Sequence, residues 1–250
     1  MPGTRKNGVL AIAAIAVAAL LAVVGHAGVD GLDPVSVTVS DYAVSDSGGA
    51  IHVAMLLLAV GSAVLIPALR RPGPPRGRRD TARVGAAQLL LAAWAGGLLL
   101  AGLVPTNPPG TEMGTAAYVH RYASVVAFVA LPVAGWLLAT HLPANPRAAR
   151  WLRILAAASL FLAAAQVWSA YPGDRALYGL IERALIVTEV ALLTLLAATL
   201  PTRPRSADHA FVVPHEGRET VLIGHHKSMI GERLGGVTPV REASVGGRPR

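Results

Sequence analysis

Eight side chains that could do chemistry lie in or beside long apolar runs. GLIERALIVTEVALLTLL, from Gly179 to Leu196, carries Glu182, Arg183 and Glu189 among Leu, Ile, Val and Ala. AAYVHRYAS supplies His120 and Arg121, GGAIHVA supplies His52, and VSDYAVS supplies Asp41 and Tyr42. Guanidinium, carboxylate and imidazole together can hold an anionic headgroup or a small polar solute through charge-assisted hydrogen bonds. The same groups can instead bond to one another and fix helix register. Two histidines, His52 and His120, open different helices and offer a third chemistry, axial haem ligation or a proton relay. His52 with Glu182 could activate water, but no HExxH, GxSxG or paired intramembrane Asp motif accompanies them. No enzyme and no metal site is therefore expected. A cofactor is not expected either, haem being the one considered.

The elements that must position these groups are set by composition. Of 250 residues, 53% are hydrophobic and only 14% charged, with a mean hydropathy of +0.52. Soluble domains carry about 25% charged residues, so scarce charge clustered between apolar runs points to a polytopic membrane protein. With no cysteine, disulfides, thiolate metal sites and cysteine nucleophiles are excluded. The net charge of +8 does not indicate a nucleic-acid partner, because the basic residues sit where orientation in a bilayer needs them.

About 20 apolar residues cross the hydrocarbon core as a helix. Six runs qualify: Val9–Ala27, Ala50–Leu69, Val84–Val104, Ala117–Thr140, Trp151–Ala170 and Leu180–Leu200. They are continuous rather than alternating, and backbone groups in lipid must be satisfied within each segment, so the fold class is an all-α six-helix transmembrane bundle. Arg5 and Lys6 precede the first span. Arg70, Arg71, Arg76, Arg78, Arg79 and Arg83 fill the second connection, Arg147, Arg150 and Arg153 the fourth, and Arg203 and Arg205 follow the last span. The first connection holds Asp30, Asp33, Asp41 and Asp46 without Lys or Arg, and the third holds Glu112. The positive-inside rule then places both termini in the cytoplasm of a cell whose plasma membrane the chain spans. The basic residues also suit anionic headgroups. The first run has some features of a cleaved signal peptide, but its length favours an uncleaved helix. Residues 1–200 form the membrane domain. Residues 201–250 read as a largely disordered tail, whose His225–His226 pair lacks a carboxylate cluster.

On this topology the polar groups share one depth. His52 opens the second span, His120, Arg121 and Tyr122 the fourth, and Glu182 and Arg183 the sixth, while Gln166, Trp168 and Tyr171 end the fifth, all on the outer side. A charge at the bilayer centre costs about 2.5–3.5 kcal/mol on insertion scales and less near the interface. Six or seven Leu, Ile or Val residues offset one such charge. Glu189 lies roughly 10 Å deeper than Glu182 on the same helix face. It must be protonated or paired there.

VSDYAVSDSGG (39–49), GLVPTNPPGTEMGTAAYVHRYAS (102–124) and GLIERALIVTEV (179–190) together resemble the DUF998 family of six-span membrane proteins. The likeness covers roughly residues 10–200. Position by position it implies roles for Ser40, Asp41, Tyr42, Pro105, His120, Glu182 and Arg183. Val104 stands where the pattern has an aromatic residue and Asn107 where it has an acid. The resemblance implies a fold and supplies no reaction. Two readings of the outer cluster therefore stand beside the haem or proton-relay reading: a pocket for a lipid headgroup or small polar ligand, and an internal network of a structural or assembly protein. The bilayer is the expected partner in either case.

Overall fold

A computed structural model describes residues 4–45, 48–69, 77–108, 110–140 and 145–199. Seven α-helices run in chain order: α1 (Thr4–Ala27), the short α2 (Val39–Ala43), α3 (Gly49–Ala63), α4 (Arg78–Leu103), α5 (Thr115–Ala139), α6 (Pro146–Ala170) and α7 (Tyr178–Thr199). No strand occurs among the described residues. Each long helix packs on the next one in sequence, and α7 returns to α1, so that the six long helices close a ring; α5 also meets α7 across it. The expected all-α membrane bundle is the architecture found.

Five helical segments are long and apolar enough to cross a membrane: Lys6–Ala27, Gly49–Leu69, Arg78–Leu103, Thr115–Ala139 and Pro146–Ala170. The sixth expected span, α7, is a 22-residue helix, but Glu182, Arg183 and Glu189 set it apart from those five. The helices also run beyond the apolar stretches. α4 starts at Arg78 rather than Val84, and α6 at Pro146 rather than Trp151. A helix can continue past the hydrocarbon boundary, where the side chains turn polar but the backbone still prefers its own bonds. At Pro146 the ring supplies the helical φ at N1, and Asn145 caps the Ala148 amide at 3.2 Å. The expected tail and the His225–His226 pair lie outside the described residues.

The second span departs most from expectation. Its α-helix ends at Ala63, and the chain reaches Leu69 through turns and a 3-10 segment, Pro67–Leu69. Pro67 lacks an N–H and its ring collides with the carbonyl four residues back, which is that of Ala63. The carbonyls released from the ladder find side-chain donors. Asn7 Nδ2 of α1 donates to Val64 O at 3.1 Å, and Gln88 Nε2 of α4 donates to Ile66 O at 3.0 Å. Two neighbouring helices thus close the C-terminal end of α3, as buried backbone acceptors in lipid require.

The ring is filled with small and branched apolar residues, among them Leu91, Ala127, Leu131, Leu152, Ala156, Leu192 and Leu193, each fully buried. Trp94 joins them because its indole N–H reaches Ser62 Oγ at 2.8 Å, and that hydroxyl donates to Leu58 O at 2.6 Å. α4 and α5 approach closely at Gly97, where a Cβ would lie 2.7 Å from Ala123 O. Outward faces carry large exposed apolar side chains such as Leu89, Phe161 and Val187. In water these would be a liability; against lipid tails they are the expected surface.

Candidate functional site

The connection between α1 and α3 is not an open loop. Residues 28–45 fold back over the end of the bundle where α1 stops and α7 begins, and α2 lies within them. The local cause is a capping box in TVSD: Asp41 N donates to Thr38 Oγ1 at 3.2 Å, and Thr38 N donates to Asp41 Oδ2 at 2.7 Å. Asp41 is therefore spent on its own helix. Just before it, Asp33 accepts from Ser36 Oγ at 2.6 Å and from Val35 N at 3.1 Å. The Ser36 hydroxyl, with the Val35 amide, holds the Asp33 carboxyl below its ordinary value.

Three helices fasten this cap. Glu182, buried in the first turns of α7, accepts from Val39 N at 2.7 Å and so satisfies an amide that α2 leaves unpaired at its start. Arg183 Nη1 donates to Pro34 O at 2.8 Å, Val37 O at 2.8 Å and Gly179 O at 3.0 Å. The first amides of α7 add to this: Gly179 N and Leu180 N both donate to Val35 O, at 3.0 and 3.1 Å. Gly179 has no alternative residue, because a Cβ there would overlap the Val37 carbonyl. From α5, His120 bonds through Nε2 with Ser40 Oγ at 3.0 Å and through Nδ1 with Val104 O at 2.8 Å. Nδ1 is the donor to the Val104 carbonyl, which leaves Nε2 as an acceptor for the Ser40 hydroxyl.

Tyr42 is the cap's apolar anchor. It is buried, its hydroxyl donates to Leu32 O at 2.7 Å, and its ring stacks on His26 of α1 with centroids 4.6 Å apart. The Arg183 guanidinium lies 5.0 Å from the ring centroid, a cation–π distance. Arg183 Nη2 and His26 Nε2 are buried without a hydrogen-bond partner among the described residues.

The sequence-nominated residues thus divide. Asp41, Tyr42, His120, Glu182 and Arg183 meet in one place. His52, half-buried on the first turn of α3, lies within electrostatic range of His120 but forms no hydrogen bond through its ring among the described residues. Arg121 is exposed beside His120 and takes no part in the fastening. Glu189 is fully buried far below the cap, and neither of its carboxylate oxygens has a partner among the described residues. Two cavities lie elsewhere among the described residues. One, of about 410 Å³, opens beside Arg150 and Arg153 near the start of α6. The other, of about 540 Å³, is an apolar groove lined by Gly96, Gly97, Tyr118 and Tyr122. No group of three or more His, Asp or Glu side chains converges on a metal-sized space among the described residues.

The sequence profile of the family described as "Protein of unknown function (DUF998)" matches residues 12–199. The chain belongs to the DUF998 family. The match takes in α2 to α7 and α1 from residue 12 onward, including both sides of the cap and its fastening residues. No curated protein and no solved structure matches the chain. The two departures from the DUF998-like pattern now have local explanations. Val104 contributes its backbone carbonyl to His120, so its side chain is not the recognised group. Asn107 uses its amide as a donor to Thr111 O at 2.9 Å and to Pro108 O at 3.2 Å, which an acid could not do. Pro105 directly follows the last bond of α4, where a helix must stop.

Reading the sequence by residue type missed several members. Thr38 had a visible signal, since T-x-x-D is a capping-box pattern. His26 lay unnoticed at the end of the first span. The carbonyls of Pro34, Val35 and Val37 have no sequence signature, because any residue supplies them.

Proposed function

We propose that this DUF998 protein is a non-enzymatic, structural or assembly-type membrane protein, in which the outer polar cluster is a closed network that fastens a folded cap to the bundle. The observation carrying this reading is that most of its polar atoms are directed at the chain itself, Arg183 Nη2 and His26 Nε2 being the exceptions. Glu182 meets a cap amide, Arg183 Nη1 meets cap carbonyls, and His120 uses both ring nitrogens. A headgroup at Glu182 or a haem iron at His120 would have to displace bonds already made. Ser40, Asp41 and Tyr42 serve the cap in the same way.

The reading includes six crossings with both termini in the cytoplasm of the plasma membrane. Support for the sixth comes from the two faces of α7. Its exposed positions are Leu180, Val187, Ala191 and Ala198, all apolar, while Glu182 and Glu189 turn inward. A helix with its charges toward protein and a stripe of apolar residues toward lipid suits insertion. The distribution of arginines supplies the orientation.

The test is His120→Ala in purified, detergent-solubilised protein. Thermal stability is expected to fall by about 1–3 kcal/mol, the range for orphaning buried partners. A screen of anionic, zwitterionic and neutral lipids should give the same stabilisation for wild type and variant. Lipid-specific stabilisation that disappears in the variant would favour the pocket reading instead.

A further inference from the structure

Glu189 lies outside the cap network, and its surroundings suit a different task. Of the buried side-chain atoms without a hydrogen-bond partner among the described residues, Ser159 Oγ, Gln166 Oε1 and both Glu189 oxygens belong to the packed pair α6 and α7, as does Arg183 Nη2 at the cap. Ser159 and Glu189 are both 0% exposed. Gln166 and Tyr178 lie within electrostatic range of each other near the outer end, which sets these parts of the two helices side by side. Ser159 is two turns below Gln166 on the same face of α6, and Glu189 is three turns below Tyr178 on the same face of α7.

Axial rise puts Ser159 about 10 Å and Glu189 about 16 Å below that contact. Helical side chains lean toward the N-terminus of their own helix. The N-terminus of α7 is at the outer end and that of α6 at the inner end, so Glu189 leans outward and Ser159 inward, toward one another. The opposite neighbour, α5, is positioned by Gly135 against the Leu192 side chain. One turn outward on each helix brings Pro132 to the level of Glu189. Pro132 has no N–H to offer the Phe128 carbonyl, which is left as an acceptor.

We propose that Glu189 is a proton-binding acid, reached from the outer side by water along the α6–α7 interface through Gln166 and Ser159. Protonation takes one proton from hydronium in that path, forms one O–H bond on the carboxyl and leaves water; release is the reverse. The Phe128 carbonyl accepts the bound proton's hydrogen bond. Orphaned polar atoms at successive depths are what an internal water file needs, since each water requires two or more polar partners. Below Glu189, α7 buries the apolar side chains of Leu192, Leu193, Leu196 and Ala197. The site therefore opens to one side only and reports outer rather than inner acidity.

No competing charge faces it. Between Ile154 and Ala170 α6 has no titratable residue, and between Tyr122 and Ala139 α5 has none. The buried side chains of α1 include Ala11, Ile15 and Ala18, none of them titratable, and its His26 lies at the outer end. On α7 itself Glu182 and Arg183 are bound to the cap, as are Asp41 and Tyr42 of α2, and His120 and Arg121 lie at the outer end of α5.

The experiment is infrared difference spectroscopy on the full chain in lipid, wild type against Glu189→Gln. A protonated-carboxyl C=O band should be present in the wild type and missing from the variant. On transfer to D2O it should shift, and Ser159→Ala should slow that shift roughly tenfold, as expected for deleting one polar step. A band that never shifts in D2O marks a sealed structural acid and overturns the proposal. So does the lack of any band difference between wild type and Glu189→Gln. Loss of the band on adding sodium at fixed pH would assign a metal cation instead and overturn it as well. If Glu189→Gln fails to fold, the D2O shift in wild type against Ser159→Ala decides alone. Because the inference requires the outer end of α7 to face outside but not the closed cap, lipid binding by His120 would leave it standing.

Discussion

Glu182 and Arg183 are neighbours in sequence, yet they grip different parts of one loop and do so with different chemistry. Glu182 offers an acceptor to the Val39 amide; Arg183 offers donors to the Pro34 and Val37 carbonyls. Exchange of either for an apolar residue orphans backbone groups rather than merely deleting a contact. Arg183→Ala should lower thermal stability in detergent by roughly 2 kcal/mol or more, and Arg183→Lys should recover only part of it, since an ammonium lacks the fork geometry. Protease nicking within residues 28–45 offers a second readout of cap release. Asp33 gives the cap an acid limit. Its carboxyl is held below the ordinary value by Ser36 and Val35, so the stabilisation is complete above about pH 4 and is lost as pH falls through the folded value. Hydrogen–deuterium exchange of residues 33–37 should rise on acidification below that point. In Asp33→Asn the rise should be absent over the same interval. Asp41 was legible in sequence as a polar residue of the outer side, but its actual partner is Thr38 three residues away, a local bond that convergence with distant helices did not suggest.

Among the elements, α7 carries most of the positional information. Its first turn binds the cap through two backbone amides, one carboxylate and one guanidinium, and Gly179 permits the approach. Gly179→Ala should push the Val37 carbonyl away and destabilise by about 1–3 kcal/mol, the usual range for overpacking. Detergent thermal melts compared with Gly96→Ala provide the control, because a Cβ at Gly96 meets nothing within 4 Å. Helix existence was easy to read, since apolar runs of spanning length have one viable backbone solution in lipid. Helix ends were not, and α3 shows the reason. Its stop at Ala63 follows from Pro67, but the chain could stop there only because Asn7 and Gln88 arrive from other helices to receive the freed carbonyls.

At the scale of the whole molecule, the ring of six long helices buries alanines, many leucines and Trp94 inward, while Leu89, Phe161, Val187 and other apolar side chains face out. A reporter active only in the cytoplasm should work when fused after residue 200 and fail when inserted within residues 44–48. The opposite pattern would reverse the orientation inferred from the arginines and, with it, the side to which Glu189 answers. By itself the sequence determined the membrane class, the long helical segments and the family resemblance. Those properties follow from desolvation, which acts on each segment separately and leaves its mark in composition and spacing. Tertiary structure alone decided the partners. Whether Glu182 faces a ligand or an amide, whether Arg121 joins His120, and whether Glu189 has any partner depend on the rotation and register of packed helices and on a loop folding back across them. Those are set by distances of a few ångströms between residues more than a hundred positions apart, as between Val39 and Glu182, and no local pattern encodes them.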